Sequence, residues 1–365
     1  MTNEAVVQRD SRVADAAACH ALLLAPSQGL GGGIERYVET IAAAFADQGV
    51  ACRRLDLARS GPGGHRALLA AAADVLAAAA EPARLIVAHP ALLPVAALLA
   101  RKRLVRGISV ICHGSDVWGR RSGPRWQLEN WLMRRRDVRI VAVSSFTAGA
   151  LFPGAQATIL PPGLSSTWFG ELVTAAAARR PPRGDLELTT AFRLGDWRDK
   201  GLPQLTAAVA ALRRADVRLT VCGSGTPPTD LLDHIGGHPW CRVRPGLTDR
   251  ELAAQLASSD LFVLATRTRS GRLPCGEGFG LVLLEAQLAG TAVVGPAYGG
   301  SPDAYLDGVT GATPRDESVA ALAQVLDALA REPDRLSVMG ARGAAWARER
   351  FGPDQYGALA VDRLL

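Results

Sequence analysis

Short apolar segments alternate with alanine- and leucine-rich helical segments along nearly the whole chain, and this alternation most narrows the available folds. Each apolar segment has the length of a buried strand and is bounded by Gly, Pro, Ser or His. Strands that alternate with helices are typical of βαβ units, in which the strands run parallel. The sequence therefore predicts an α/β protein built on parallel sheets.

The alternation occurs twice. Between the two series, the proline- and arginine-rich segment 179–184 predicts a linker. We therefore expect two Rossmann-like domains that face each other across a cleft, with ligands bound at the carboxyl ends of the strands. The predicted strands are 21–26, 50–57, 85–88, 108–112 and 138–143, then 187–191, 217–222, 242–244, 261–265 and 291–294.

The chain length supports this division, because 365 residues suit two domains better than one or three. We expect a disordered leader, an N-terminal acceptor-binding domain and a C-terminal nucleotide-sugar-binding domain. A final helix could pack back on the N-terminal domain. The predicted boundaries are 1–15, 16–178, 179–345 and 346–365.

Composition excludes several classes of protein. Hydrophobic residues make up 48% and charged residues 21%, which rules out disorder throughout. No apolar run reaches the roughly 18 residues of a membrane span, and 1–15 lacks the apolar core of a secretory signal. The six cysteines form no C-x-x-C pair and fit reduced thiols. We therefore expect a cytoplasmic protein.

A glycine-rich loop, Gly29-Leu30-Gly31-Gly32-Gly33-Ile34-Glu35, joins the first predicted strand to its helix. Gly31, Gly32 and Gly33 would let backbone N–H groups approach an anion at a helix N-terminus. A dinucleotide fingerprint would need glycine where Ile34 stands, although Asp56 lies where a ribose-binding carboxylate would. An NAD-dependent oxidoreductase and a merely flexible turn therefore stay as alternatives.

Two further motifs lie in the second half. Arg193 and Lys200 follow its first strand, where cations can hold a diphosphate, although surface loops often carry such pairs. The element from Glu277 to Glu285 places one carboxylate in a loop and the other within an apolar helix, where it needs a partner. A surface helix with an incidental glutamate is the alternative for the second motif.

Taken together, these motifs resemble those of the GT-B fold glycosyltransferases of family 4. The resemblance runs from about residue 19 to 311 and so covers most of the chain. The matching segments are Gly29–Glu35, His113-Gly114-Ser115-Asp116, Val143-Ser144-Ser145, Pro161-Pro162-Gly163, Arg193 to Gly201, Gly223-Ser224-Gly225, Glu277 to Glu285 and Gly299-Gly300.

The resemblance implies transfer of a sugar from a nucleotide diphosphate donor, with the anomeric configuration retained. Arg193 and Lys200 would hold the diphosphate, and Glu277 would bind the transferred sugar. His113 would face the reacting centre, whereas Asp116 would cap or orient its loop. The donor would further contact Glu285 through its ribose, and Gly31, Gly32, Gly33, Gly223, Gly225, Leu247, Gly278, Phe279, Gly280 and Leu281.

The sequence also departs from the usual family pattern. Many members have a shorter gap after the arginine, so Arg198 competes with Lys200 for the second cationic role. The loop 266–275 is long and carries three arginines. Asp-x-Asp pairs are absent, and the histidines lack ligand spacing, so we expect no metal and no cofactor beyond the nucleotide-sugar substrate.

The expected partners are a UDP or GDP sugar and a small-molecule or lipid-linked acceptor, with a role in specialised metabolism as one option. A net charge of +6 does not by itself indicate nucleic acid. Trp126 and Trp131 near 134–136 would suit an anionic membrane, but we favour ordinary basic helix ends. A non-catalytic sugar-nucleotide-binding protein and a phosphorylase-like relative stay as alternatives.

Overall fold

The computed structural model describes residues 19–26, 33–57, 64–101, 103–118, 123–179, 184–269 and 275–365. These residues form two parallel six-stranded sheets with flanking helices, which confirms the predicted fold class. The first sheet and its helices contain β1 (Ala21–Ala25), α1 (Gly33–Asp47), β2 (Cys52–Asp56), α2 (Gly64–Ala78), β3 (Ala83–Val87), α3 (Leu93–Leu99), β4 (Val105–Cys112), α4 (Pro124–Met133), β5 (Val138–Ala142), α5 (Ser145–Gly149), β6 (Ala157–Ile159) and α6 (Ser166–Ala177).

The second sheet repeats this architecture and is followed by three helices. Its elements are β7 (Leu186–Ala191), α7 (Leu202–Ala211), β8 (Val217–Gly223), α8 (Thr229–Gly236), β9 (Cys241–Pro245), α9 (Asp249–Ala257), β10 (Leu261–Val263), α10 (Leu281–Leu288), β11 (Ala292–Val294), β12 (Gly311–Ala312), α11 (Val319–Ala330), α12 (Pro333–Phe351) and α13 (Pro353–Leu364).

The strand order shows where each sheet has its topological switch point, at which the direction of winding reverses. The first sheet runs β2-β1-β3-β4-β5-β6 and the second runs β12-β11-β10-β7-β8-β9. The direction of winding therefore reverses between β1 and β3, and again between β7 and β10. Ligands of doubly wound sheets bind beyond the carboxyl ends of the strands at such points. The loops after these four strands are thus the natural place for a site.

The apolar segments become strands because they can be buried on both faces. Every residue of the central strand β1 is buried, whereas the edge strand β2 is only partly covered. Continuous apolar sequence is typical of interior parallel strands that have helices on both sides. The two domains have separate clusters around their sheets, with Leu85 and Val110 in one and Leu219 and Val263 in the other.

Helices near the predicted domain boundaries pack across them. Trp168 and Leu172 of α6 belong to a core cluster of the second domain. The sequence expectation of one helix over 346–365 differs from the structure, in which α12 ends at Phe351 and α13 begins at Pro353. Tyr356 of α13 lies in a core cluster of the first domain, so the end of the chain returns to the first sheet. The predicted leader lies outside the described residues.

Two helical glycines give a test of this packing. A Cβ placed on Gly340 in α12 would lie 2.2 Å from the carbonyl oxygen of Gly290, whereas one on Gly170 in α6 would meet nothing within 4 Å. Gly340→Ala should therefore destabilise the protein by about 1–3 kcal/mol. Gly170→Ala should stabilise it by about 0.5–1 kcal/mol through helix propensity alone. Denaturant unfolding of both variants measures the difference, and equal effects would contradict the α12 packing.

Candidate active site

The carboxyl edges of the two sheets meet, and backbone approaches there are very close. A Cβ placed on Gly278 would lie 2.1 Å from the carbonyl oxygen of His113, at the end of β4. Beyond β5, Asp303 accepts hydrogen bonds from the backbone N–H and the hydroxyl of Ser145, at 2.5 and 2.7 Å. The motifs after β4 and before α10 therefore form opposite walls of one cleft.

Lys200 and Glu277 form an ion pair in the second wall. Lys200 Nζ lies 3.0 Å from Glu277 Oε2, and the hydroxyl of Thr266 donates to the same oxygen at 3.1 Å. Burial lowers the pKa of Lys200, but the adjacent Glu277 carboxylate more than offsets this, so the pKa lies above its ordinary value. The cleft therefore holds a fixed ammonium beside a carboxylate.

The structure separates Lys200 from its competitor Arg198. Arg198 forms an ion pair with Asp230, and its guanidinium stacks 4.1 Å from the centroid of Trp197. Both partners of that ion pair are largely exposed. Of these two cations, Lys200 is therefore the one placed against Glu277.

Arg193 lies beside the glycine loop that follows β8. A Cβ on Gly223 would approach the carbonyl oxygen of Phe192 to 2.1 Å. The N–H of Leu194 donates to the carbonyl of Ser224 at 3.0 Å, and the N–H of Gly246 donates to that of Gly223 at 2.9 Å. Arg193, Gly225 and Leu247 are consequently held on adjacent loops at the carboxyl edge of the second sheet.

The segment 278–281 opens α10. Gly280 has φ +86°, a left-handed conformation that favours glycine, and its carbonyl accepts from the N–H of Leu283 at 2.8 Å. Phe279 is buried, and its ring lies 6.0 Å from that of Phe351. Leu281 is partly buried. Beside this turn, the buried hydroxyl of Ser301 has no hydrogen-bond partner in the described part of the chain.

Glu285 is buried within α10 and is held by two side chains that the sequence did not indicate. The indole N–H of Trp168 and the guanidinium of Arg36 both donate to its Oε1, each at 2.9 Å. Arg36 belongs to α1 in the first domain and Trp168 to α6. Their separations of 249 and 117 residues leave no local sequence signal for either contact.

His113 is held at the end of β4. Its backbone N–H donates to Asp116, as does that of Gly114, so Asp116 orients the loop as expected. The ring nitrogen Nε2 lies 2.7 Å from the carbonyl oxygen of Ala88 and must therefore carry the proton. Burial lowers the pKa of His113, which outweighs the opposing effect of Asp116. The ring is thus a neutral imidazole whose Nδ1 can accept a proton.

Some predicted contacts of the first domain lie outside the described residues. These are Gly31 and Gly32, whereas Gly33 is the exposed first residue of α1. The structure also shows a cavity of about 510 Å³ along α4, which shares Asp116 with the His113 loop. Its other lining residues include Trp126, Gln127, Asn130, Trp131 and Arg134.

Two features are absent from the described residues. No helix within them combines the length and apolar character of a membrane span. Nor do the same ranges bring together three or more His, Cys, Asp or Glu side chains in an arrangement that could hold a metal ion.

Comparisons with known proteins agree with this architecture. Residues 187–332 match the family described as Glycosyl transferases group 1. The chain is 31% identical over 278 residues to a GDP-mannose-dependent alpha-(1-6)-phosphatidylinositol monomannoside mannosyltransferase of Mycolicibacterium smegmatis, covering 73% of this chain and 72% of that protein. It is 32% identical over 286 residues to a glycogen synthase of Mycobacterium tuberculosis, covering 74% and 63% respectively.

A solved structure shows the same fold over nearly the whole chain. Anabaena Alr3699/HepE, crystallised with UDP and glucose, superposes with a TM-score of 0.72 at 16% identity, covering 94% of this chain and 98% of that one. The two facing sheets therefore form a GT-B fold, as the resemblance implied. The chain belongs to the Glycosyl transferases group 1 family, and the oxidoreductase alternative is not supported.

The environment of His113 generates a pH prediction. Because burial lowers its pKa in the folded protein, the ring should titrate below the ordinary 6.5. The unfolded chain then binds more protons near that pH, so this histidine should reduce stability as the pH falls below about 6.5. Ring-nitrogen NMR measures the titration and shows which nitrogen carries the proton.

Asp116→Asn supplies the control for that measurement. It removes the charge that opposes the shift, while one amide oxygen in the place of Oδ1 can still accept from the backbone N–H groups of His113 and Gly114, which both reach that oxygen. The pKa of His113 should then fall further. A His113 ring that titrates at or above 6.5 in the unaltered protein would contradict the buried geometry.

Proposed function

We propose that this protein is a retaining family 4 glycosyltransferase that transfers a hexose from a nucleotide diphosphate donor to an acceptor. The observation that carries the proposal is the Lys200–Glu277 ion pair at 3.0 Å, placed opposite the His113 loop. Glu285 lies eight residues after Glu277 and is buried within α10. Glycosyl transfer follows from membership of the family. The arrangement of these side chains supports the role proposed for each of them.

The chemistry requires stabilisation of a departing diphosphate. As the glycosidic C–O bond breaks, negative charge grows on the leaving oxygen and the sugar becomes oxocarbenium-like. Lys200 and Arg193 supply cations, and the backbone N–H groups at the start of α10 supply the positive end of a helix dipole. Lys200 is held by Glu277 before reaction, and groups that are positioned in advance stabilise a developing charge efficiently.

The remaining side chains would position the sugar and the nucleotide. Glu277 would accept hydrogen bonds from sugar hydroxyls, and its charge would stay balanced by Lys200. The carboxylate of Glu285 would accept hydrogen bonds from the ribose. His113, neutral and with Nδ1 as its acceptor, would bind a substrate hydroxyl near the reacting carbon.

Donor and acceptor classes follow from the relatives. The name of the Mycolicibacterium smegmatis relative specifies GDP-mannose and a phosphatidylinositol monomannoside. A further relative, from Arthrobacter and 33% identical over 216 residues, is named a D-inositol 3-phosphate glycosyltransferase. HepE was crystallised with UDP and glucose. We propose a UDP or GDP hexose as donor and a polyol or lipid-linked sugar as acceptor. The acceptor would approach from the first domain, whose α4 cavity shares Asp116 with the His113 loop.

Lys200→Ala should lower the rate of sugar transfer about 100- to 1,000-fold, which corresponds to about 3–4 kcal/mol for one group that stabilises a developing charge. Arg198→Ala is the matched control, because its guanidinium pairs with an exposed carboxylate instead of Glu277. The measurement is kcat with the donor that the unaltered protein uses. Equal losses in the two variants would contradict the assignment of Lys200.

We expect transfer without a divalent metal, because Arg193, Lys200 and the start of α10 supply the positive charge. Binding of UDP, GDP, ADP and dTDP, measured calorimetrically, should identify one preferred nucleotide, with the same affinity in EDTA and in Mg²⁺. Activity that is lost in EDTA and restored by Mg²⁺ would overturn metal independence. Proton NMR of the first product would report its anomeric configuration, and inversion would overturn the retaining assignment.

A further inference from the structure

The buried carboxylate of Glu285 is held by residues from both sides of the cleft. Its side chain is 4% exposed, and Arg36 Nη1 lies 2.9 Å from Oε1. Trp168 Nε1 donates to that same oxygen at 2.9 Å. Both contacts fall on Oε1, so Oε2 is the oxygen that neither side chain occupies. Oε1 is thus engaged by protein donors, whereas Oε2 has neither of them.

The burial of Glu285 calls for a compensating cation. A carboxylate that is removed from water needs a cation and hydrogen-bond donors, since an uncompensated buried charge is strongly destabilising. The indole of Trp168 supplies a donor without charge. Among the described residues, Arg36 is the cation within ion-pairing distance of Glu285. Its own side chain is 41% exposed and also lies 3.4 Å from Asp249 at the start of α9.

Arg36 holds this position only while the two domains are together. It lies on α1, which packs on the first sheet, whereas Glu285 and Asp249 belong to the second domain. The guanidinium also lies 5.7 Å from the ring centroid of Trp168, within the range of a cation–π contact. Opening of the cleft would separate Arg36 from all three partners and leave Glu285 without its cation.

We propose that Arg36 is a positioning residue that couples closure of the cleft to recognition of the donor nucleotide. With Trp168 it fixes Oε1, so that Oε2 points its lone pairs at the ribose hydroxyls of the nucleotide. Closure then completes the nucleotide site instead of merely covering it. This inference rests on the proposed function, because it assigns the ribose to Glu285.

Three variants test the coupling through binding of the nucleotide that the unaltered protein prefers. Arg36→Met removes the charge and keeps most of the length, and Glu285→Gln removes the carboxylate. Each should weaken nucleotide binding at least 10-fold in calorimetry. The double variant should bind no more weakly than Glu285→Gln alone, because residues that act through one interaction are not additive. Additive losses would overturn the proposal.

Arg125→Met is the matched control. Arg125 is also an exposed arginine that pairs with a nearly buried carboxylate, Glu129, at 3.0 Å, but within α4. Its nucleotide affinity should stay within twofold of the unaltered protein. An Arg36→Met protein with affinity also within twofold would overturn the proposal. Thermal unfolding of each variant shows whether a loss comes from misfolding.

Steady-state kinetics separates positioning from a general structural role. Arg36→Met should raise KM for the donor at least 10-fold, with a smaller change in KM for the acceptor. Arg36→Lys should recover part of the loss, because an ammonium can still reach Oε1. Equal failure of Lys and Met variants with lowered melting temperatures would overturn a positioning role. An unaltered protein that binds none of the four nucleotides would instead reject the proposed function itself.

Discussion

The close approach of two backbones across the cleft is the constraint on which the site depends. The carbonyl oxygen of His113 occupies the space where a side chain on residue 278 would be, and Gly300 in turn packs on Gly278, leaving no room for a Cβ. The carboxyl ends of the two sheets can meet at this distance only because glycine stands on the second wall. The groups that flank these glycines are thereby fixed relative to one another: His113 on one side, Glu277 and the start of α10 on the other.

Around this contact, the charges of the cleft are arranged in neutralised pairs. Glu277 has Lys200, and Glu285 has Arg36, so each carboxylate is accompanied by a cation at about hydrogen-bond distance. The difference lies in where the cations come from. Lys200 follows β7 in the same domain as its partner, whereas Arg36 crosses from α1. The first pair can therefore persist in an open cleft, while the second requires the domains to be closed.

Much of the fold could be predicted from sequence because interior strands must be apolar on both faces. The strands 108–112 and 217–222 were recognised in this way, and the structure extends them by only a few residues. Helices without an apolar stripe are harder to delimit from sequence, even where a basic helix end is expected, as at 134–136. In α4, for example, the buried residues Glu129, Leu132 and Met133 are mixed with exposed Trp131. The expectation of one helix over 346–365 does not include the break that the structure shows at Gly352, between α12 and α13.

The site residues that sequence can predict are likewise those with a local signal. Glu277, Glu285, Arg193 and Lys200 belong to local motifs, so sequence could nominate them. The choice between Lys200 and Arg198 depended on the tight turn after β7, which directs Arg198 toward Trp197 and Asp230. Arg36 and Trp168 were not nominated, because their relation to Glu285 arises only when α1 and α6 are brought to α10.

The path of the chain end gives the two domains a second link besides the cleft. The helix α12 packs on the second domain, through Met339 and Phe351, and α13 then packs beside α1 on the first sheet. Buried Tyr37 and Val38 of α1 belong to the same core cluster as Tyr356 and Leu364 of α13. The helix that carries Arg36 is therefore supported along its core face by a segment whose preceding helix is anchored in the other domain. The crossing from α12 to α13 therefore links the second domain to α1, the helix that also carries the cation of Glu285.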